Sequence, residues 1–136
     1  MNTKLRSALF TAILGAAIAT PAHAQPQTTS ALETCLQNAS DQARQYSCYQ
    51  AETAKQKRRL NNAYNRLIKN RSPESLAALN QSQKDWLRGR DSTYNFLSGH
   101  VAGSADAALV VSEGFLLNST AERAELLEGV AAVEAH

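Results

Sequence analysis

Residues 72–99 read SPESLAALNQSQKDWLRGRDSTYNFLSG, and this stretch decides the fold. Ser72-Pro73-Glu74 is a helix start. It offers a hydroxyl cap, a proline at the first position where an N–H is not needed, and an acid in the first turn. Leu76, Leu79, Gln83, Trp86, Leu87, Arg90, Tyr94 and Leu97 then recur every three or four residues, which is one face of an α-helix. Gly99 is expected to end it. The segment Gly99-His100-Val101-Ala102-Gly103-Ser104 reads as a loop.

The flanking segments repeat this pattern. Upstream, Ser40-Asp41 reads as an N-cap, and no Gly or Pro follows until about residue 70. Tyr46, Tyr49, Thr53, Leu60, Tyr64 and Leu67 keep helical spacing there, with a polar gap near Gln56. Earlier still, Ser30-x-x-Glu33 has the form of a capping box and starts a short helix carrying Leu32, Cys35 and Leu36. Downstream, Ser104 can cap a helix whose apolar face is Leu109, Val110, Leu116, Leu117, Leu126, Leu127 and Val130. Gly114 and Asn118-Ser119-Thr120 are where it is expected to kink or break. With no hairpin signal and no internal repeat, the fold class is all-α: a small bundle of three long helices plus a short N-terminal helix tied by one disulfide.

The chain has 136 residues, 43% hydrophobic and 6% aromatic, which suits one domain and excludes collagen-like, mucin-like and highly charged disordered classes. Residues 1–24 have the form of a cleavable signal peptide. Lys4 and Arg6 are followed by an apolar run from Ser7 to Ala19 and an A-x-A site at Ala22 and Ala24. The expected organisation is a signal peptide over 1–24, a disordered mature terminus over 25–29 and a single helical domain over 30–133. Export to the periplasm or beyond follows, with no transmembrane segment after cleavage.

Cys35 and Cys48 are the two cysteines, and an even pair in an exported chain reads as a disulfide. Closing a loop of about 14 residues stabilises a fold by roughly 3 kcal/mol in the chain-entropy account. A metal site needs more ligands than His100 and His136 add, and the spacing is not that of a redox C-x-x-C pair. No metal or cofactor is expected.

Cleavage would remove two bases and leave twelve bases against twelve acids. The charge is segregated. Residues 55–90 hold ten bases and two acids, whereas residues 91–136 hold one base, Arg123, and seven acids. Antiparallel packing is expected to lay the acidic helix on the basic ones. The cluster Lys55, Lys57, Arg58 and Arg59 is a solvated helix face. Export, and the lack of interleaved aromatics, speak against nucleic acid as partner.

Leu60-Asn61-x-x-Tyr64 and Gln83-Lys84-Asp85-Trp86-Leu87-x-x-Arg90-Asp91 resemble the LprI-like lysozyme-inhibitor family. The resemblance runs over about residues 33–128, through Ala102-Gly103-Ser104 to the T-x-x-R motif of Thr120 and Arg123. It implies a non-enzymatic, exported domain that inhibits lysozyme-type muramidases. Family members often carry a second Cys pair at the positions of Tyr94 and Phe115, so those two aromatics are expected to touch in place of that bridge.

The residues themselves favour structural roles. Trp86 lies on the apolar stripe. Arg90 and Asp91 are neighbours about 100° apart on a helix and are not expected to pair. Arg90 is expected to meet Glu113, Glu122 or a helix C-terminus, and Arg123 to meet Asp85 or Asp91. His100 lacks the partners of a nucleophilic triad, and Glu122, Glu125 and Glu128 sit at helical spacing on a solvent face. Lysozyme of the c type is strongly cationic, so an acidic surface would be steered to it. The expected contact residues are His100, Asp106, Glu113, Glu122, Glu125 and Glu128. The competing reading is an envelope interaction protein that uses its basic helices on anionic glycans or lipids.

Overall fold

The computed structural model describes residues 29–69, 71–101 and 103–134. The expected signal peptide and residues 25–28 lie outside them. Helix α1 spans Ser30–Gln37, α2 Gln42–Leu67, α3 Pro73–His100 and α4 Ala105–Val133. Every helix starts on a side-chain cap. The Leu32, Arg44, Ser75 and Ala107 amides donate to Thr29 Oγ1, Asp41 Oδ1, Ser72 Oγ and Ser104 Oγ. Such a cap contributes about 1 kcal/mol. One cap falls one residue from its expected place: Thr29, expected in the disordered terminus, caps α1 in place of Ser30. Within the Ser40-Asp41 pair it is Asp41 that caps α2, while Ser40 Oγ donates to it. Gly99 does not end α3, which runs to His100 and caps at Val101. In the turn that follows, Gly103 takes φ +143, a conformation other residues rarely adopt.

The long helices run up, down and up. Tyr94 of α3 meets Glu113 of α4 while Gln83 meets Arg123, so those two helices are antiparallel. Tyr49 of α2 lies against Gly114 while Arg59 meets Glu128, so α2 and α4 are parallel. The antiparallel expectation therefore holds for α3 against α4 and fails for α2. The 28-residue α3 carries the chain the length of the bundle before α4 begins. Two ion pairs still join the acidic helix to the basic segment, Arg59–Glu128 and Arg71–Glu134.

The core has two apolar clusters. Leu32, Cys48 and Leu117 form one, under α1, and the Cys35–Cys48 disulfide pins α1 across it. Leu60, Ala63, Leu67, Ala124 and Leu127 form the other, with Tyr64, Leu79, Trp86 and Val130 packed on it. The polar gap seen in the sequence lies between them and is buried. Glu52 accepts from Lys55 Nζ at 3.0 Å and from Gln56 Nε2 at 2.8 Å, and Gln56 Oε1 accepts from Arg59 Nη1 at 2.7 Å.

Helix α4 does not break. Ser112 and Thr120 are fully buried and return their hydroxyl protons to the carbonyls of Leu109 and Leu116. Gly114 lies against the Tyr49 ring. These residues give up helix propensity and gain a thin seam on which α2 packs closely. Three leucines expected on apolar faces are exposed: Leu87 of α3, and Leu109 and Leu126 of α4. Leu126 is one residue from buried Leu127, hence about 100° around the helix from the core.

Candidate functional site

The sequence-selected residues gather in two places. The first surrounds Trp86, which is half-buried between α3 and α4. Its indole Nε1 donates to Ser119 Oγ at 3.3 Å. The Arg90 and Arg123 guanidinium carbons lie 4.8 and 5.8 Å from its ring centroid, so one indole serves two cations. Arg90 does pair with Asp91, through Nε at 2.8 Å and Nη2 at 2.6 Å. The length of the arginine side chain spans the angular offset between neighbours. Glu113 and Glu122 are not its partners. Arg123 donates to Gln83 Oε1 and Ser82 Oγ, both neutral, and not to Asp85 or Asp91. Burial without a carboxylate holds the Arg123 guanidinium below its ordinary value.

The motif residues upstream are structural in their contacts. Leu60 is in the core, Asn61 is exposed and the Tyr64 hydroxyl donates to Asn80 Oδ1 at 2.6 Å. Thr120 is sealed in the α2–α4 seam.

Tyr94 and Phe115 are not the stacked ring pair. Among the described residues that pair is Phe96 with His100, centroids 6.4 Å apart. The Tyr94 hydroxyl instead donates to Glu113 Oε1 at 3.1 Å. Burial, with Glu113 beside it, pushes Tyr94 above its ordinary value.

The second place is the outer face of α4. The six expected contact residues do not form one surface. Glu113 is buried against Tyr94, and Glu128 is half-buried and held by Arg59. Glu113 is thereby withdrawn from the solvent face, whereas Glu128 keeps 31% of its side chain exposed. His100 and Asp106 are exposed at the α3–α4 turn. Glu122 lies sixteen residues along α4 from Asp106, about 24 Å at 1.5 Å per residue. Glu122 and Glu125 are exposed, and neither forms an ion pair among the described residues. With Leu126, Gly129, Val130 and Val133 they line a shallow groove of about 730 Å³. Leu126 is 53% exposed and Val133 77%.

The buried Glu52–Gln56 pair, its link to exposed Arg59 and the Arg71 contacts were not anticipated from the sequence. Their signal was the polar gap itself, since Glu52, Gln56 and Arg59 keep the spacing of one helix face. No group of three or more His, Cys, Asp or Glu is placed to hold a metal ion among the described residues.

The fold and surface define a disulfide-tied helical domain that presents a charged and apolar stripe to solvent. The chain belongs to the LprI lysozyme-inhibitor family: a family model described as lysozyme inhibitor LprI matches residues 22–127. No curated protein and no solved structure matches it.

Proposed function

We propose that the chain binds and inhibits a lysozyme-type muramidase in the periplasm or outside the cell, by docking and without chemistry of its own. Family membership supplies the partner class. The disulfide suits an oxidising compartment. The observation that carries the reading is the α4 stripe, where Glu122 and Glu125 stand unpaired beside exposed Leu126 and Val133. An apolar centre with a charged rim is the common anatomy of a protein interface. Acidic side chains outside any ion pair attract a cationic enzyme at long range, and salt weakens that attraction.

The test is titration of the purified chain into c-type lysozyme at two salt concentrations, following binding and cell-wall lysis. The expected result is inhibition that weakens with salt. Glu122→Lys with Glu125→Lys should raise Kd by about tenfold or more. Asp106→Lys, about 24 Å away, should leave Kd within about twofold. Absence of binding at both salt concentrations would overturn the proposal.

A further inference from the structure

At the far end of the bundle from the α3–α4 turn, α2 ends, α3 begins and α4 ends around one groove of about 820 Å³. Its apolar lining is buried Leu67 with Ala131 and exposed Ala132. Its walls carry Arg66 and Lys69 from the end of α2, Arg71 from the connection, and Ser72 and Ser75 from the first turn of α3. Two acids also line it, and both are spent. Glu128 is held by Arg59, and Glu134 accepts from Arg71 Nη2 at 2.6 Å. Arg71 is spent as well, since Nε donates to the Leu67 carbonyl and Nη1 to Ser75 Oγ. Arg66 and Lys69 remain, both exposed, and neither is in an ion pair among the described residues. Glu74, also on the first turn of α3, is not part of the lining.

The groove therefore carries surplus positive charge beside apolar Leu67, Ala131 and Ala132, at the amino end of a helix of 28 residues. Two separate cations suit the spread oxygens of a phosphate better than a planar carboxylate, which one arginine fork would satisfy. We propose that this groove binds the phosphate of a small polar ester, glycerol phosphate in chemical type, either free or as a phospholipid headgroup. This is a site distinct from the acidic α4 stripe, and it gives the basic segment a ligand of its own.

The test titrates the full disulfide-bonded chain with glycerol 3-phosphate by calorimetry, and separately sediments it with phosphatidylglycerol and phosphatidylcholine vesicles. Two double variants of equal charge change are compared, Arg66→Gln with Lys69→Gln in the groove, and Lys57→Gln with Arg58→Gln on the exposed face of α2. The expected result is saturable binding that the groove variant weakens about tenfold and the face variant changes less than about twofold. Saturation by the free ester identifies a small ligand as the source. Capture by phosphatidylglycerol vesicles alone, with the same variant pattern, identifies a headgroup. Circular dichroism checks that the groove variant keeps its helices; if it does not, Arg66→Gln alone is read. No saturable binding of either probe, or equal loss in both variants, overturns the proposal.

Discussion

Arg59 of α2 holds Glu128 of α4 with two guanidinium donors, Nε at 3.2 Å and Nη2 at 2.5 Å, while its third nitrogen, Nη1, reaches Gln56. Donating to the Glu128 carboxylate keeps the guanidinium above its ordinary value. The side chains are 45% and 31% exposed, so water screens much of the attraction. Glu128→Gln should therefore cost only about 0.5 kcal/mol. Arg59→Met should cost more, about 1–1.5 kcal/mol, because it also strips buried Gln56 of a donor. Urea denaturation of the single and double variants checks this. A coupling between the two positions well above about 1 kcal/mol would show that the pair is not screened as described.

Glu52 gives the chain an acid-side weakness. Burial alone would raise its carboxyl, but the hydrogen bonds it accepts from Lys55 and Gln56 outweigh burial and hold it below the ordinary value of 4.5. A carboxyl depressed in the folded state binds fewer protons there than in the unfolded chain. Its contribution is complete above pH 4.5 and is lost as pH falls through the lower folded value. Asp41, lowered chiefly by the Arg44 amide it caps, acts in the same direction. Wild type should lose stability as pH falls below about 4.5, and Glu52→Gln should flatten part of that slope while starting about 1–2 kcal/mol lower at pH 7. Thermal melts across this range read it; parallel curves for both proteins would refute the role of Glu52.

Helix positions were legible in the sequence because caps and apolar spacing are local. Ser72-Pro73-Glu74 and Ser104 sit where the sequence places them, as does the Cys35–Cys48 bridge. What failed was non-local. Leu126 and Leu127 look alike in sequence, and only the position of α2 decides that one is buried and its neighbour exposed. Gly114 and Thr120 read as helix breakers because their compensation, contact with Tyr49 and a bond to Leu116, lies outside single-residue propensity. Glu113 and Glu128 read as surface acids alongside Glu122 and Glu125. A half-buried tyrosine and a distant arginine separate them, and neither partner is visible in spacing.

The α2–α4 seam should tolerate little added volume. Ala63 and Ala124 are both 0% exposed within one cluster, and Ser112 and Thr120 are 0% exposed on the same helix as Ala124. Ala124→Leu inserts atoms where the helices have no room and should cost about 2–3 kcal/mol. Gly129→Ala, on the open face of the same helix, meets nothing within 4 Å and should stabilise by up to about 1 kcal/mol through helix propensity. Denaturant midpoints of the two variants should move in opposite directions. Equal small effects would mean that the seam repacks freely.

The cluster around Trp86 separates packing from charge. Arg123 has only neutral acceptors, and burial depresses it, so its positive charge adds little that its hydrocarbon stem does not. Arg123→Met keeps a long apolar stem against the indole and loses two hydrogen bonds, and should cost less than about 1 kcal/mol. Trp86→Ala removes the surface on which both arginines rest and a contact of the larger core cluster, and should cost about 2–3 kcal/mol, below the value for a fully buried tryptophan. Trp86→Phe should fall between, since it keeps a ring for the cations but loses the bond to Ser119. Urea denaturation of the three variants gives the order. If Arg123→Met proved the most damaging, the guanidinium charge and not the indole would be what joins α3 to α4 at this level.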